Sequence, residues 1–478
     1  MKCFPFEWLG HGSHGRGLRA WHSLILWNGC GPRENPAGAI TARNLSPRAT
    51  GVVCAAIAVL SFLAYARALQ LPFIADDYVQ IALGREYGAL SGWPALLHDV
   101  LYRCRATSLI LTYWTDRWFG ADPFIFHLSS LLIHILNSLL VFAMGMWRPI
   151  GWRVSAVAAC FFAVSQRHHE AVIWYAALPE LLVFFFILLS FLSWVRWLQS
   201  ESGSTAPYWA SFAFYGLAML SKESAVTLPP LLLLAGVFQR RDLRVLLARI
   251  LPFALCAVGY FGLIFAARHT HLHFNDAGTF SLDAPFVQVL LRSSWKLAWF
   301  WGVAAIVALL VWKAREWSRL LWIASAWVAI TFLPYCFLTY MPSVPSRHTY
   351  LASVGMALLV AVALVEFHAR TAPRHGRAGI ALLSGVMILH QCSYLWIIKQ
   401  AQFEIRAQPT ERLLKMAALT RSSIHVKCFP YDRSVADLAL QIRGRDTAPT
   451  ALVFDTSAAI HDDGVDFCFD PGQYHNLP

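Results

Sequence analysis

The chain has 478 residues, of which 57% are hydrophobic and 14% are charged, and its mean hydropathy is +0.50. These values exclude a soluble domain of this length and indicate a polytopic membrane protein. A formal charge of +12 does not indicate nucleic-acid binding, because the basic residues stand in short clusters between apolar segments.

The chain begins with a basic segment, residues 1–50, which we predict to be a disordered cytoplasmic leader. Its apolar patch, Trp21–Trp27, is too short for the core of a signal peptide. The basic residues of the leader are Lys2, Arg16, Arg19, Arg33, Arg43 and Arg48.

Residues 51–398 contain about eleven apolar segments and predict an all-α transmembrane domain. Residues 70–118 mix charged and amphipathic runs, which indicates a large first external loop with helices on the membrane surface. The predicted spans are Val52–Leu69, Pro123–Met146, Val154–Val164, Ala176–Trp194, Tyr208–Leu220, Val226–Val237, Val245–Phe265, Ala298–Val311, Leu320–Tyr340, Tyr350–Val365 and Ile380–Ile397.

The charge of the connecting loops alternates. One set is rich in basic residues, such as Arg148, Arg240 and Lys313, and shares a side with the leader, so the positive-inside rule assigns it to the cytoplasm. The opposite set contains the unusual polar residues, among them Asp76 and Lys222. These residues are therefore predicted to gather on the external face.

The last part, residues 399–478, is polar and is predicted to be a small extracytoplasmic tail. Its pattern indicates helices at Thr410–Leu419 and Ser434–Ile442 and a strand at Ala451–Phe454. In an oxidising compartment Cys428 and Cys468 can pair.

The stretch Pro72–Gln80 places two adjacent carboxylates, Asp76 and Asp77, just after the first span. Acids are scarce in this chain, with 27 Asp and Glu in 478 residues. Two carboxylates side by side near lipid raise the pKa of one of them, which suits a base near neutral pH. A helix cap or a solvated turn is the alternative.

Two further motifs bring ionisable residues to the predicted external face. His169 and Glu170 follow a short span and give a second acid there, with capping or interfacial roles as alternatives. Lys222 and Glu223 interrupt a long apolar stretch. A structural ion pair in a hairpin is the alternative, but ionisable residues at membrane depth are costly and usually functional.

Arg347, His348 and Tyr350 lie where a Pro-rich external loop enters a helix, which is a suitable place to hold an anion. By contrast, His127 and His134, with Asn137 on the same helical stripe, are interpreted as packing residues rather than metal ligands. The scattered cysteines show no metal or redox spacing.

In their order along the chain, these residues resemble the GT-C integral-membrane glycosyltransferases, and within them the protein O-mannosyltransferase-like proteins of the transmembrane and tetratricopeptide-repeat branch. Two departures are Arg105–Ala106, where the family would have Arg-Pro, and the lack of such repeats after the last span. The segments that carry the resemblance are Asp76–Asp77, Phe119–Leu128, His134–Asn137, His169–Val172, Glu180–Leu182, Ser221–Glu223 and Arg347–Gly355.

The resemblance implies a GT-C-like helical bundle, a sugar donor linked to a polyprenyl phosphate of the dolichyl or undecaprenyl type, and inversion at the sugar carbon on the extracytoplasmic face. It also implies that Asp76 is the base, with Asp77 beside it. Because phosphate is a good leaving group, cations suffice to stabilise the departing charge. Lys222 and Arg347, together with Tyr350, are predicted to bind the donor phosphate.

The residues His169, Glu170 and Glu223 are predicted to position the acceptor or the sugar. The acceptor can be a protein Ser or Thr, a glycolipid or an envelope polymer, and the short loops suit a bacterial inner membrane with a periplasmic active site. No metal is assigned, although a divalent cation at Asp76 and Asp77 stays open.

Three other functions stay open. A ligase of preassembled lipid-linked glycans would use similar residues. A transporter or flippase of lipid-linked sugars predicts ionisable residues near helix midpoints and an inverted repeat. A catalytically silent scaffold predicts that the acid pair is dispensable. The polar residues cluster at one face and no repeat is evident, which favours an enzyme.

Overall fold

A computed structural model describes residues 46–201, 203–266, 269, 281, 283–337, 343–371, 373–420, 423–443, 452–454 and 465–469. The predicted basic leader lies outside the described residues, except for its last few positions.

The described part is almost entirely helical. Its helices are α1 (Pro47–Tyr65), α2 (Asp76–Tyr87), α3 (Trp93–His98), α4 (Ala106–Phe119), α5 (Pro123–Ala143), α6 (Gly151–Val164), α7 (His169–Ile173), α8 (Leu178–Gln199), α9 (Ala206–Met219), α10 (Leu228–Phe238), α11 (Leu243–Ala266), α12 (Phe286–Val311), α13 (Ser318–Phe332), α14 (Ser353–Arg370), α15 (Pro373–Ser393), α16 (Gln400–Leu419) and α17 (Arg433–Arg443). Its strands are β1 (Ile424–Cys428), β2 (Leu452–Phe454) and β3 (Val465–Cys468).

Each of the predicted spans coincides with a helix, which confirms the all-α membrane architecture. Within the described residues, 8 helical stretches are long and apolar enough to cross a bilayer, and 2 apolar helices are shorter, so the count of eleven is not confirmed. The long stretches are Pro47–Gln70, Pro123–Met146, Tyr175–Gln199, Leu243–Ala266, Phe286–Val311, Arg315–Phe337, Ser353–Arg370 and Ala378–Leu419.

The start of one span was predicted wrongly. The helix expected at Ala298 begins at Phe286, because polar residues such as Arg292 and Lys296 obscure the apolar pattern of its first half. Within this helix Trp299 has φ 46° and ψ −161°, so the chain kinks there. A positive φ at a residue as large as Trp is costly and persists only where surrounding packing enforces it.

The boundary between α4 and α5 shows how local chemistry ends and starts helices. Gly120, with φ +69°, ends α4 in a conformation that side chains other than glycine rarely adopt. Two residues later the Asp122 carboxylate caps α5 by accepting a hydrogen bond from the Phe124 amide at 3.0 Å. Pro123 is next, at the first helical position, where its missing N–H leaves nothing unsatisfied.

Buried polar groups join the spanning helices to one another. The Trp194 indole of α8 donates to the Leu232 carbonyl of α10 at 3.1 Å. The Trp327 indole of α13 donates to the Leu351 carbonyl at 3.0 Å. Lipid gives little hydrophobic drive for helices to associate, so such bonds and close packing stabilise the bundle.

Helices α2, α3 and α4 form the first loop, in agreement with the helices predicted there. Helices α2 and α4 touch through glycine: a Cβ on Gly88 would stand 2.2 Å from the Tyr113 Cβ. An ion pair joins Arg85 to Asp116 with Nε–Oδ2 at 2.8 Å. The close contact fixes α2, whose first turn carries Asp76 and Asp77.

The tail is an extension of the bundle. Helix α15 continues through a π-helical turn at Tyr394–Lys399 into α16, past the boundary predicted at residue 398. The strands form a parallel sheet of order β2-β1-β3, and the predicted pair Cys428–Cys468 is a disulfide. Helix α17 packs against α2, so the tail supports the helix that carries the acid pair.

Candidate active site

A cavity of about 1100 Å³ opens between the first loop and the spanning helices. Its walls include Asp76, Lys222, Glu223 and Arg347 among the residues predicted for the site. Segments that lie far apart in the chain therefore converge on one space, as the predicted external clustering requires. Asp77, His169, Glu170 and Tyr350 do not line it.

The two aspartates have different surroundings. Asp77 is fully buried, and its carboxylate accepts hydrogen bonds from the Ile74 amide at 2.9 Å and the Ala176 amide at 2.7 Å. Asp76 is exposed at the cavity wall. The preceding Ala75 has φ 35°, a strained conformation for alanine that fixes how the chain enters α2.

The pKa values of both acids depend on their positions. Burial raises the pKa of Asp77 to about 7, against the effect of its two backbone donors. Burial also raises the pKa of Asp76, and the guanidinium groups of Arg406 and Arg347 oppose that rise. Asp77 thus anchors the start of α2, while Asp76 presents a carboxylate with no backbone donor of this kind to the cavity.

A buried polar cluster, formed by Glu180, Lys222 and His348, makes up one side of the cavity. The Lys222 ammonium donates to Glu180 Oε1, and His348 Nδ1 lies 2.5 Å from the same oxygen. The His348 ring stacks on Tyr335 with centroids 4.8 Å apart. Burial, helped by the Lys222 charge, lowers the pKa of His348 to about 4, so neutral imidazole donates to the carboxylate.

Glu180 was not predicted as a site residue. The signal that would have found it is an ionisable residue inside the apolar run of α8, two positions after its start, because such residues are rarely placed at membrane depth without a function. Burial lowers the pKa of Lys222, and the Glu180 carboxylate opposes that change. Glu180 therefore favours the charged form of Lys222.

Glu223 faces Arg105, with Glu223 Oε1 and Arg105 Nη2 3.8 Å apart, and both line the cavity. The neighbouring Ser221 and Thr107 hydroxyls are 2.7 Å apart. The first loop and the α9–α10 hairpin are therefore joined at this wall. Arg105 is part of the cavity even though the next residue is alanine, where the family would have proline.

Glu170 and His169 hold the loop that carries Arg347. Glu170 Oε2 accepts a hydrogen bond from the Arg347 amide at 3.2 Å and lies 3.5 Å from Arg347 Nη1. His169 Nε2 lies 3.2 Å from the Ser346 hydroxyl. Although burial raises it, the pKa of Glu170 falls below its ordinary value because His169 and Arg347 stabilise the carboxylate.

Tyr350 does not line the cavity, and its role in phosphate binding stays a prediction. Its hydroxyl is 2.7 Å from His134 Nδ1 and accepts from Asn137 Nδ2 at 3.4 Å, so it is held within the helix bundle. His134 Nε2 is in turn 3.1 Å from the Ala163 carbonyl. His134 and Asn137 are packing residues, as predicted.

Two residues that the sequence did not indicate stand beside Asp76. Trp174 lines the cavity, and both Arg347 and Arg406 lie over its ring, 5.2 and 4.7 Å from the centroid. Arg406 belongs to α16. No local pattern marks it, because it stands beyond the last predicted span in a segment of ordinary polarity.

No group of three or more His, Cys, Asp or Glu side chains converges as a metal site within the described ranges. Within these ranges, the hypothesis of a divalent cation at Asp76 therefore depends on the Asp76–Asp77 pair alone. Asp77 uses both of its oxygens on backbone amides, so the two carboxylates do not both face the cavity.

The fold and the site together define a membrane-embedded helical protein with a large cavity whose wall combines apolar and charged side chains. The fold is similar to ArnT from Cupriavidus metallidurans bound to undecaprenyl phosphate, with a TM-score of 0.50 and 14% identity over 86% of this chain and 87% of that one. For ArnT in the apo state the TM-score is 0.52 and the identity 15%, with the same coverage.

In sequence, an alignment of 213 residues that covers 38% of this chain is 26% identical to the human Protein O-mannosyl-transferase TMTC4. The match spans 28% of that relative. No family model matches the chain. The fold is similar to that of ArnT and part of the sequence is similar to a protein O-mannosyl-transferase, in agreement with the resemblance to the GT-C integral-membrane glycosyltransferases.

Proposed function

We propose that the chain is a GT-C glycosyltransferase that moves a sugar from a polyprenyl-phosphate donor to an acceptor hydroxyl, with inversion. The observation that carries the proposal is the single cavity that combines the Asp76 carboxylate with the cations of Lys222 and Arg347. The similarity to a protein O-mannosyl-transferase, and to a protein that was crystallised with undecaprenyl phosphate, supports the choice of donor and acceptor.

In this mechanism Asp76 accepts the proton of the acceptor hydroxyl. The acceptor oxygen attacks the anomeric carbon, and the bond from that carbon to the phosphate oxygen breaks with its electron pair. The phosphate leaves as a dianion on its lipid, which requires stabilisation by positive charge rather than a general acid. One displacement of this kind inverts the sugar carbon.

The apolar wall of the cavity suits the lipid part of the donor. Tyr260, Ile264 and Phe265 of α11 face the cavity opposite the charged residues, with Leu333 beside them. Helix α11 exposes several large apolar side chains to the surroundings. A polyprenyl chain can therefore stay in the bilayer while its phosphate reaches the polar wall.

The remaining predicted residues have supporting roles in this proposal. Glu170 and His169 position Arg347, Glu223 positions Arg105, and Asp77 fixes the start of α2. We predicted that Glu170 and His169 position the acceptor or the sugar. In this proposal they instead lie one step behind the cavity wall. Glu223 lines the cavity and is placed to contact the sugar.

We further propose that the cavity opens on the extracytoplasmic face of a bacterial inner membrane. The alternation of basic loops supports that orientation, because the loops that reach the cavity belong to the set opposite the basic loops. The protein acceptor, with Ser or Thr, rests on the relative TMTC4.

The test is transfer of radiolabelled sugar from a panel of polyprenyl-phosphate sugars in membranes that contain wild type, Asp76→Asn or a matched control. Glu201→Gln is the control, because Glu201 is exposed in the loop after α8 and its substitution removes the same charge. We expect wild type and Glu201→Gln to consume one donor and Asp76→Asn to consume none. Full activity of Asp76→Asn, or labelled lipid that crosses the membrane without product, would favour the scaffold or the transporter.

A further inference from the structure

The cations around the cavity differ in whether a carboxylate already neutralises them. Three of them have such a partner within 4.0 Å. These pairs are Lys222 with Glu180, Arg105 with Glu223 and Arg347 with Glu170. Arg406 forms no ion pair with any residue of the described ranges. An anion that binds at Arg406 would therefore not have to displace a carboxylate at ion-pair distance.

The Arg406 guanidinium stacks on aromatic rings, one of which belongs to the cavity wall, although Arg406 itself does not line the cavity. It lies 4.7 Å from the ring centroid of Trp174, which lines the cavity, and 5.4 Å from that of Phe403. Stacking on aromatic faces fixes the plane of a guanidinium while its N–H groups remain available at the edge.

The position of Arg406 is fixed by how α16 docks. Phe403 and Ala407, on the same side of the helix, are buried in the main hydrophobic core. The Tyr431 hydroxyl, from the segment after β1, donates to the Arg406 carbonyl at 2.5 Å. The disulfide of Cys428, three residues before Tyr431, ties this segment to β3. The tail is thus built to hold one arginine against the cavity.

Arg406 is also electrostatically close to Asp76. Both Arg406 and Arg347 stabilise the ionised form of that carboxylate against the effect of burial. Arg406 therefore lies within electrostatic range of the residue proposed as the base.

We propose that Arg406 of the tail binds a phosphate group at the cavity, so that the tail is part of the active site. Guanidinium groups bind phosphate through paired N–H donors, which is a stronger and more directional contact than a lysine makes. The inference rests on the proposed function only for the identity of the phosphate, which belongs to the lipid-linked donor or to a free phosphate product.

The test is a binding measurement on the full chain in lipid nanodiscs, with a short-chain polyprenyl phosphate and the matching uncharged polyprenol as probes. We expect Arg406→Gln to weaken polyprenyl phosphate binding about tenfold, the usual scale for loss of a charge-assisted hydrogen bond, and to leave polyprenol binding unchanged. Arg406→Lys should retain part of the difference between the two probes. Competition by inorganic phosphate at similar concentrations would support the phosphate site but assign it to free phosphate.

Lys415→Gln is the matched control. Lys415 is exposed on α16, nine residues after Arg406, which places it on the opposite face of the helix. Equal binding of polyprenyl phosphate by wild type and Arg406→Gln would overturn the inference, as would a parallel loss of both lipids, which indicates a structural role. Because these measurements need no transfer reaction, the inference can fail or hold independently of the proposed activity.

Discussion

Two sides of the cavity handle charge in opposite ways. The buried wall, which we define as Glu180, Lys222 and His348, pairs its charges within the protein. The open wall, defined as Asp76 and Arg406 beside the Trp174 ring, keeps an exposed carboxylate and a guanidinium without an ion-pair partner in the described part of the chain. The sides therefore differ in what a substrate can still neutralise.

The difference teaches that a cation near a site is not by itself a ligand for the substrate. A buried ion pair costs desolvation that its own attraction offsets, and removal of one partner leaves an isolated charge. The buried wall is thus expected to set the shape and rigidity of the cavity, whereas the open wall is expected to contact the reacting groups. Variants at each wall separate these roles.

The largest expected effect is on transfer at the open wall. Asp76→Asn removes the proposed base and should lower the rate of sugar transfer about 10²- to 10⁴-fold, with unfolding temperature unchanged. Asp77→Asn should instead lower the unfolding temperature, because an amide cannot accept from both the Ile74 and Ala176 amides. Rates and thermal unfolding of the purified variants check both. Loss of transfer only in Asp77→Asn would reverse the assignment.

The next effect is on stability at the buried wall. Glu180→Gln leaves the Lys222 ammonium buried without a counter-charge and should destabilise the protein by about 3–5 kcal/mol. Glu223→Gln, which breaks the looser pair with Arg105, is the control and should cost about 1 kcal/mol or less. Thermal unfolding in detergent compares them. Equal losses would show that the buried wall depends no more on its pairing than the contact between Glu223 and Arg105 does.

A double variant sharpens this result. Glu180→Leu combined with Lys222→Met removes both charges and should recover much of the stability that Glu180→Gln loses, since well-packed apolar residues often replace a buried pair without loss. If Lys222 also contacts phosphate, the double variant should bind the short-chain polyprenyl phosphate less tightly than wild type does.

The sequence predicted the architecture more completely than the site. Long apolar segments identified the helices, because a bilayer demands their length and composition. The sequence also indicated Asp76, Lys222 and Arg347, because acidic and basic residues are scarce enough in this chain to be conspicuous. All three line the cavity. The sequence does not predict burial. Nothing in the adjacent pair Asp76–Asp77 indicates which of the two carboxylates accepts hydrogen bonds from two backbone amides.

Arg406 and Tyr350 also show that tertiary contacts, which the sequence does not predict, decide where a side chain lies. Arg406 reaches the Trp174 ring only because α16 docks through Phe403 and Ala407, a tertiary contact without a local signature. Tyr350 shares a motif with Arg347, yet its hydroxyl is held by His134 in the bundle. Arg347 and Tyr350 are only three residues apart at the start of a helix, yet one lines the cavity and the other lies in the core.

A pH profile of transfer tests the coupling across the open wall. Asp76 acts as a base when ionised, so activity rises with pH through its pKa. Because Arg406 lowers that pKa, Arg406→Gln should move the acid limb of the profile to higher pH. Arg347 also lowers that pKa, and Asp77, Tyr102 and Tyr431 are the other titratable groups that interact with Asp76.

The control for this profile is Lys415→Gln, whose acid limb should match that of wild type. Arg406→Lys should fall between wild type and Arg406→Gln, since it keeps the charge with a different reach. An unchanged midpoint in Arg406→Gln would mean that the two residues of the open wall act independently.

The smallest effect concerns the support of the open wall from behind. Gly88→Ala places a Cβ 2.2 Å from the Tyr113 Cβ and 2.6 Å from the Leu109 carbonyl oxygen, so α2 and α4 must separate. Overpacking of this kind costs about 1–3 kcal/mol. Gly216→Ala in α9 is the control, because a Cβ there has no neighbour within 4 Å and alanine favours the helix. If shifting α2 also displaces Asp76, Gly88→Ala should lower the transfer rate at temperatures where the protein is fully folded, whereas a purely structural contact would lower only the unfolding temperature.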